Sequence, residues 1–167
     1  MVDPTIYDAQ PFLGWDSDEL RKLTDFNGKI VIDIGSGTGR LAFVAAETAS
    51  VVFAVEPVNN LRRYIRQKAQ GLKLTNVYPV DGLITDLPYP AGFSDITMGG
   101  HVFGDLPEAE YAEMMRVTKP GGMLLLCPGS SQSETEAHAY LLSQGFDWSE
   151  FEEPESGIVR KYWKLVE

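Results

Sequence analysis

The residues most suited to chemistry are a glycine-rich run and an acid that follows it. The run begins at Asp33, ends at Gly39 and reads Asp-Ile-Gly-Ser-Gly-Thr-Gly. Because glycine lacks a Cβ, such a run lets the backbone turn tightly and approach a ligand closely. Glu56 closes the next apolar stretch, where a carboxylate is placed to accept two hydrogen bonds from a ribose diol. The pair predicts a site for a ribose-containing ligand; a tight turn without a ligand and an ordinary exposed carboxylate are the alternatives.

Buried strands on either side of the glycine run must position these residues. Residues 29–34 form a nearly continuous apolar run rich in β-branched side chains, which predicts a strand buried on both faces. An alanine-rich helix over 41–50 and a strand over 51–55 follow, so Glu56 stands at the carboxyl end of a strand. Similar patterns predict helices at 17–25, 59–70, 108–117 and 134–143, and strands at 76–80, 94–98, 123–127, 148–151 and 158–166.

The order of these elements indicates a fold class. Strands and helices alternate from residue 17 to residue 145, and alternation implies a doubly wound parallel sheet with helices on both faces. The two final strands are joined by a turn and must be antiparallel to each other. We predict a single domain over residues 17–167. Residues 1–16, rich in aromatic side chains, are predicted to fold over the site as a lid.

The composition narrows the classes of function. The chain has 167 residues, with 14 Lys and Arg against 24 Asp and Glu and a net charge of −10. This size fits one domain, and the negative charge argues against nucleic acid, whose affinity comes mostly from Lys and Arg. The single cysteine, Cys127, is expected to pack in the core; we assign no disulfide and no metal. With no signal-peptide pattern and no run long enough to span a bilayer, we expect a cytoplasmic protein without a membrane partner.

Further motifs complete a pattern typical of one family. Residues 81–83 read Asp-Gly-Leu, residues 87–89 read Leu-Pro-Tyr, and residues 116–122 read Arg-Val-Thr-Lys-Pro-Gly-Gly. With the glycine run and Glu56, the chain resembles the class I S-adenosylmethionine-dependent methyltransferases over about residues 17–166. Its middle most resembles the branch that includes ubiquinone and menaquinone biosynthesis methyltransferases. The resemblance implies an α/β fold with a doubly wound, Rossmann-like, seven-stranded sheet, mostly parallel with an antiparallel last strand and with helices on both faces.

The resemblance also implies S-adenosylmethionine as the methyl donor and a role for each motif residue. Asp33 would hold the methionine ammonium, directly or through water. Gly35 and Gly37 would pass beneath the methionine and the ribose, and Glu56 would hold the ribose hydroxyls. The complete predicted cofactor-binding set is Asp33, Ile34, Gly35, Ser36, Gly37, Gly39, Glu56, Pro57, Val58, Asp81, Gly82, Leu83 and Gly99.

The adenine side of this set contains one departure from the family pattern. Asp81 would accept from the adenine amino group, although it stands farther from Leu87 than the family's corresponding acid does. Asp86 is the less suitable alternative, because it lies too far into the loop. Gly99 would offer its carbonyl to the ammonium at the other end of the ligand. The residues expected beside the adenine ring are Pro57, Val58, Gly82 and Leu83.

His101 is the candidate catalytic residue. It follows the predicted strand 94–98, near the position to which the methyl group points in the family, and imidazole suits acid–base work near neutral pH. Methyl transfer is an in-line displacement that needs a base only when the nucleophile arrives protonated. Local packing or hydrogen bonding is the alternative role for His101. The other histidine, His138, is expected to be exposed or partly buried without a chemical role.

Three functions are open at this point. The leading one is methyl transfer to a small-molecule acceptor, since little of the chain is left over to recognise a larger substrate. A non-catalytic methyltransferase-like binding subunit and a nicotinamide-dependent enzyme are the alternatives. No nucleic acid or membrane is expected as a partner, and a homodimer is left open.

Overall fold

The computed structural model describes residues 3–167 and contains one seven-stranded sheet. The strand order is β3-β2-β1-β4-β5-β7-β6. The first five strands are parallel, and β7 pairs antiparallel with both β5 and β6. The predicted fold class is therefore confirmed. The strands are β1 Ile30–Ile34, β2 Val51–Val55, β3 Val77–Val80, β4 Ser94–Gly99, β5 Thr118–Ser131, β6 Asp147–Glu153 and β7 Gly157–Leu165.

Helices cover both faces of the sheet and form two separate cores. The helices are α1 Pro4–Asp8, α2 Asp18–Arg21, α3 Arg40–Ala46, α4 Asn59–Gly71, α5 Pro107–Val117 and α6 Glu136–Ser143. One core contains Ala42 of α3 and Ile65 of α4, and the other contains Met114 of α5 and Leu141 of α6. Strand β1 lies between β2 and β4 and contributes to both cores, which explains its nearly continuous apolar sequence.

Several sequence-based boundaries are wrong, among them the alanine-rich helix predicted over 41–50, which ends at Ala46. The predicted helix 17–25 is shorter, because α2 ends at Arg21 and Lys22 caps it. The strand predicted over 123–127 should begin after the Lys-Pro-Gly-Gly run, yet β5 already begins at Thr118. The run stays in the sheet because Gly121 N–H donates to Val166 O over 2.7 Å and Val166 N–H donates to Gly122 O over 2.8 Å. The register with β4 shifts at this point.

The N-terminal segment is ordered by contacts with two helices. Asp8 at the end of α1 accepts from Lys68 Nζ and from Tyr64 Oη of α4, each at 2.8 Å. Arg40, the first residue of α3, donates to Leu13 O and to Trp15 O over 2.7 and 2.6 Å. Of the predicted lid segment, residues 1 and 2 lie outside the described residues. Among residues 3–167, no helix has both the length and the apolar character needed to cross a bilayer.

Candidate functional site

The glycine loop joins the carboxyl end of β1 to the start of α3. Gly35, Gly37 and Gly39 have φ values of +61°, +55° and +89°, which is the left-handed region that favours glycine. Ser36 tightens the loop, since its Oγ donates to Asp33 O over 2.7 Å and its carbonyl accepts from Gly39 N–H over 2.7 Å. The sequence needs glycine here for conformation, and these three positions of the loop carry no side chains of their own.

Asp33 is a buried carboxyl with one unused oxygen. The residue is 1% exposed; its Oδ2 accepts from Ala42 N–H over 3.0 Å, and its Oδ1 has no partner among the described residues. Burial raises the pKa of Asp33 to about 7, and the nearby charge of Glu56 adds to the rise. A buried acid with a free oxygen is suited to receive a cationic group, which would satisfy that oxygen and stabilise its negative charge.

Glu56 bridges the end of β2 and the glycine loop. It is 5% exposed, and its carboxylate accepts from Gly37 N–H over 2.9 Å and from Val58 N–H over 2.8 Å. A carboxylate offers about four lone-pair positions, so about two remain for a ligand diol. The structure thus brings Glu56 and the glycine loop together, as their placement after neighbouring parallel strands predicts.

The adenine side of the predicted site is an exposed edge of the sheet. Asp81 is exposed and pairs with Arg62, whose Nη1 is 3.1 Å from Asp81 Oδ1. The same Arg62 nitrogen donates to Glu56 O over 2.7 Å, so it links the two predicted acids. The sequence placed Arg62 only in a basic helix face, and its role became visible once α4 and β3 were in place. The exposed residues on this side are Pro57, Val58 and Leu83.

The methionine side is shaped by a residue that the sequence did not single out. A Cβ on Gly35 would lie 2.7 Å from Val102 Cγ2, and one on Gly99 would lie 2.5 Å from Val102 Cγ1. Val102 therefore packs into the space that both glycines leave free. Gly99 is paired with Ile34 of β1, so the two predicted glycine positions meet at the centre of the sheet.

The N-terminal segment lies over the glycine loop. A Cβ on Gly37 would be 3.3 Å from Tyr7 Cε1, and burial together with the charge of Glu56 raises the pKa of Tyr7. The cavity enclosed between the segment, Asp33, the loop and His101 measures about 30 Å³. Sites for ligands of cofactor size measure roughly 300–1,000 Å³. The cavity beneath the segment is therefore much smaller than a complete site for a ligand of that size.

His101 lies at the edge of this cavity and pairs with a buried acid. Its Nε2 is 2.6 Å from Glu153 Oε1, while Phe12 of the N-terminal segment stands edge-on to the ring at 6.0 Å. The side chain of Glu153 is 2% exposed and that of His101 is 41% exposed. The sequence showed Glu153 only as part of an acidic stretch, because its partner is far away along the chain.

The expected exposure of His138 is wrong, and the expected burial of Cys127 is confirmed. His138 is 3% exposed, since it packs between Trp148 and Tyr162, and its Nδ1 lies 2.9 Å from Tyr162 Oη. Cys127 is buried in the core beside β4, and burial raises the pKa of its thiol to about 12. That thiol stays protonated near neutral pH.

A doubly wound sheet with a glycine loop after β1 and a buried acid after β2 defines a Rossmann-like protein for ribose-containing ligands. The chain matches the family described as "Methyltransferase domain" over residues 32–126 and belongs to that family. It therefore carries a methyltransferase domain, and the family implies S-adenosylmethionine as the donor.

Individual relatives are distant. An uncharacterised methyltransferase of Geobacillus kaustophilus is 28% identical over 71% of this chain and 56% of its own length. The histone-arginine methyltransferase CARMER of Anopheles gambiae is 30% identical over 60% of this chain and 17% of its own length. The chain thus spans about half the length of the first relative and less than a fifth of the length of the second. A methyltransferase structure from Aquifex aeolicus superposes with a TM-score of 0.75 at 19% identity, covering 99% of this chain and all of that one, which shows the shared fold.

Proposed function

We propose that this chain binds S-adenosylmethionine across the glycine loop and transfers its methyl group to a small-molecule acceptor. One observation carries the proposal: Asp33 and Glu56 are both buried beside the loop, with an unused oxygen on the first and spare lone pairs on the second. These residues fit an ammonium group and a ribose diol. When bound, the donor supplies a methyl group on a sulfonium, which is a good leaving group.

The chain's own residues would bind the methyl donor and orient it for the transfer. Asp33 would pair with the ammonium, Glu56 would accept from the ribose hydroxyls, and the backbone of the loop would pass beneath the ligand. Alignment of the reacting atoms is the main contribution that an enzyme makes to such a displacement. His101 would accept a proton from an acceptor that arrives protonated.

Charge supports a small, non-anionic acceptor. An open groove of about 690 Å³ lies beyond the β4–α5 loop that carries His101, and Asp105, Glu108 and Glu136 are among its lining residues. These carboxylates would repel phosphate-rich substrates. The resemblance of the middle of the chain to the ubiquinone and menaquinone branch stays a prediction. The cytoplasmic location, the absence of nucleic-acid and membrane partners and the open question of a homodimer stay predictions.

Ligand binding tests the donor site directly. We expect S-adenosylhomocysteine to bind and NAD not to bind in isothermal titration calorimetry. Replacing Glu56 by Ala removes hydrogen bonds to a charged group, each contributing about 1.5–3 kcal/mol, so the dissociation constant should rise at least about tenfold. The Glu56→Gln variant keeps one acceptor for the backbone and controls for folding.

The matched control is Glu152→Ala, because Glu152 is an exposed acid on β6 away from the loop. It should leave binding unchanged. Tight NAD binding, or wild-type affinity in Glu56→Ala, would refute the assignment of this site. Formation of S-adenosylhomocysteine from S-adenosylmethionine with small phenols, thiols and amines then tests transfer itself.

A further inference from the structure

The pair His101 and Glu153 joins two distant parts of the chain at the edge of the donor cavity. Glu153 ends β6, whereas His101 lies in the loop between β4 and α5. The buried carboxylate of Glu153 lies 2.6 Å from His101 Nε2. An ionised carboxylate only accepts hydrogen bonds, so Nε2 must carry the hydrogen in this pair.

The other ring nitrogen of His101 is left without a hydrogen. In a neutral imidazole one nitrogen donates and the other accepts, so Nδ1 has a free lone pair when Nε2 donates to Glu153. Within residues 3–167 no hydrogen bond involves His101 Nδ1. The ring lines the same cavity as Asp33 and Gly35, and it is partly exposed. An unprotonated nitrogen is therefore available at the edge of the predicted donor site.

Several contacts hold the His101 ring in this position. Its φ of +55° is uncommon for a residue other than glycine. The backbone N–H of His101 donates to Pro128 O over 2.9 Å, and Phe12 packs edge-on against the ring. An unusual backbone conformation persists where surrounding contacts over-determine it, and such residues cluster at active sites. The ring is thus fixed from the backbone side by Pro128 and from the side-chain end by Glu153.

We propose that Glu153 is a positioning residue for methyl transfer: it holds His101 in the tautomer that leaves Nδ1 free to take a proton from the acceptor. This inference rests on the proposed function and narrows its substrate to acceptors whose nucleophilic atom carries a hydrogen, such as a hydroxyl, a thiol or an amine. The proton passes to Nδ1, the electron pair it leaves forms the bond to the methyl carbon, and the sulfur keeps the pair of the bond that breaks. The imidazolium is stabilised by Glu153 and loses its proton to solvent.

Nitrogen-15 NMR tests the tautomer on the chain itself. The sequence contains two histidines, so His138 serves as an internal reference in every spectrum. At a pH where both rings are neutral, we expect the wild-type His101 to show a single tautomer with the hydrogen on Nε2. The Glu153→Leu variant should show a mixture of tautomers, whereas Glu153→Gln, which retains a carbonyl oxygen, should restore the wild-type one. Glu152→Gln is the matched control.

Two NMR results would overturn the inference: a wild-type His101 with its hydrogen on Nδ1, or an unchanged tautomer in Glu153→Leu. An unchanged His138 signal shows that a variant is folded, because that ring is packed in the neighbouring core. General acid–base catalysis contributes about 10²–10⁴ in rate. In the methyl-transfer assay with phenol, thiol and amine probes, Glu153→Leu should therefore lower kcat at least about tenfold, with the acceptor KM and S-adenosylhomocysteine affinity within about twofold of wild type.

The failures of the two proposals are distinguishable. A wild-type chain that binds no S-adenosylhomocysteine contradicts the proposed function, while the NMR result still decides the His101–Glu153 pair. A wild-type chain that binds and turns over, together with a wild-type kcat in Glu153→Leu, contradicts the positioning role alone.

Discussion

At the scale of single residues, the burial of the Asp33 carboxyl lowers the stability of the folded protein. Its buried carboxyl has a pKa raised to about 7 from the usual 3.8, and one of its oxygens lacks a partner among the described residues. A buried titratable group with a shifted pKa and an unpaired oxygen is typical of binding sites, because a bound ligand can supply the missing partner. Asp33 therefore links the stability of the chain to its predicted affinity for a cation.

The raised pKa predicts a pH dependence of stability. Between about pH 4 and pH 7 the folded chain keeps a proton on Asp33 that the unfolded chain has lost, so the free energy of unfolding falls as the pH rises and levels off above pH 7. Asp33→Asn removes this dependence. Relative to wild type, the variant should gain on the order of 2 kcal/mol between pH 5 and pH 8 in urea unfolding.

The same variant should bind S-adenosylhomocysteine more weakly, because the amide lacks the charge that would pair with the ammonium. Asp95→Asn is a suitable comparison for the stability measurement, since bonds from Lys119 and Ile30 lower the pKa of that carboxyl despite burial. It should be less stable than wild type near neutral pH, and this difference should shrink as the pH falls through the acidic range. A difference between Asp33→Asn and wild type that does not vary with pH would contradict the assignment of the buried proton.

Residues after neighbouring strands were predictable, and residues that meet from distant elements were not. Asp33 lies near the end of β1 and Glu56 directly follows β2, and these two strands are adjacent and parallel, so the sequence order alone places the two acids near each other. Arg62 and Glu153 act through partners that only the folded sheet brings close. The residue types of Arg62 and Glu153 did not indicate a functional role, since charged residues that stand among other charged residues are ordinarily solvated. Val102 was missed for the opposite reason, because an apolar residue in a loop has many packing roles.

At the scale of elements, we predict that the N-terminal segment controls access to the glycine loop. Tyr7 packs on Gly37, and Asp8 and Arg40 fasten the segment to α4 and α3. The cavity that remains is only about 30 Å³. The lid prediction implies that the donor binds to an open state, so the apparent affinity and the rate of association would be reduced by the fraction of time the segment is closed.

Weakening that closure should speed ligand entry. Tyr7→Ala removes the side chain over Gly37. We expect the association rate of S-adenosylhomocysteine in stopped-flow fluorescence to rise severalfold. A loss of about 1.4 kcal/mol from the free energy that favours the closed segment would correspond to about a tenfold rise. Ile6→Ala is the control, since Ile6 lies on the same helix and is 62% exposed. An association rate that stays at the wild-type value in Tyr7→Ala would rule out the predicted lid.

Element boundaries were predictable where hydrophobic patterns ended at clear breaks. Strand β2 was predicted to the residue, and α4 to within one residue. The start of β5 was missed because the Lys-Pro-Gly-Gly run has turn-forming residues, and its pairing with Val166 depends on residues that come much later in the chain. Local propensity does not report such long-range pairing.

At the scale of the whole molecule, net charge should influence the approach of the donor. The chain carries a net charge of −10, and S-adenosylmethionine has one more positive charge than S-adenosylhomocysteine because its sulfur is a sulfonium. Summed protein charge steers oppositely charged ligands, and salt screens that attraction. The two ligands are nearly identical in shape, so a comparison between them isolates the effect of charge.

Salt should therefore slow the binding of one ligand more than that of the other. Raising the ionic strength from about 0.01 M to about 1 M shortens the Debye length from about 30 Å to about 3 Å. We expect the association rate of S-adenosylmethionine to fall severalfold over this range, while that of S-adenosylhomocysteine changes little. Equal salt dependence for both ligands, measured by stopped flow, would show that the overall charge has no part in binding.

The position of β7 between β5 and β6 has a consequence for biosynthesis. Strand β6 reaches the sheet only through β7, which follows it in the chain, so Glu153 has no place in the sheet until residues up to Leu165 have left the ribosome. Strands β1 to β4, which hold the glycine loop and Glu56, are translated well before that point. A domain generally folds as a unit, so the sheet can be completed only after β7 has emerged. The contact between Glu153 and His101 therefore has to form late in synthesis, well after the segment that carries the glycine loop and Glu56 has been translated.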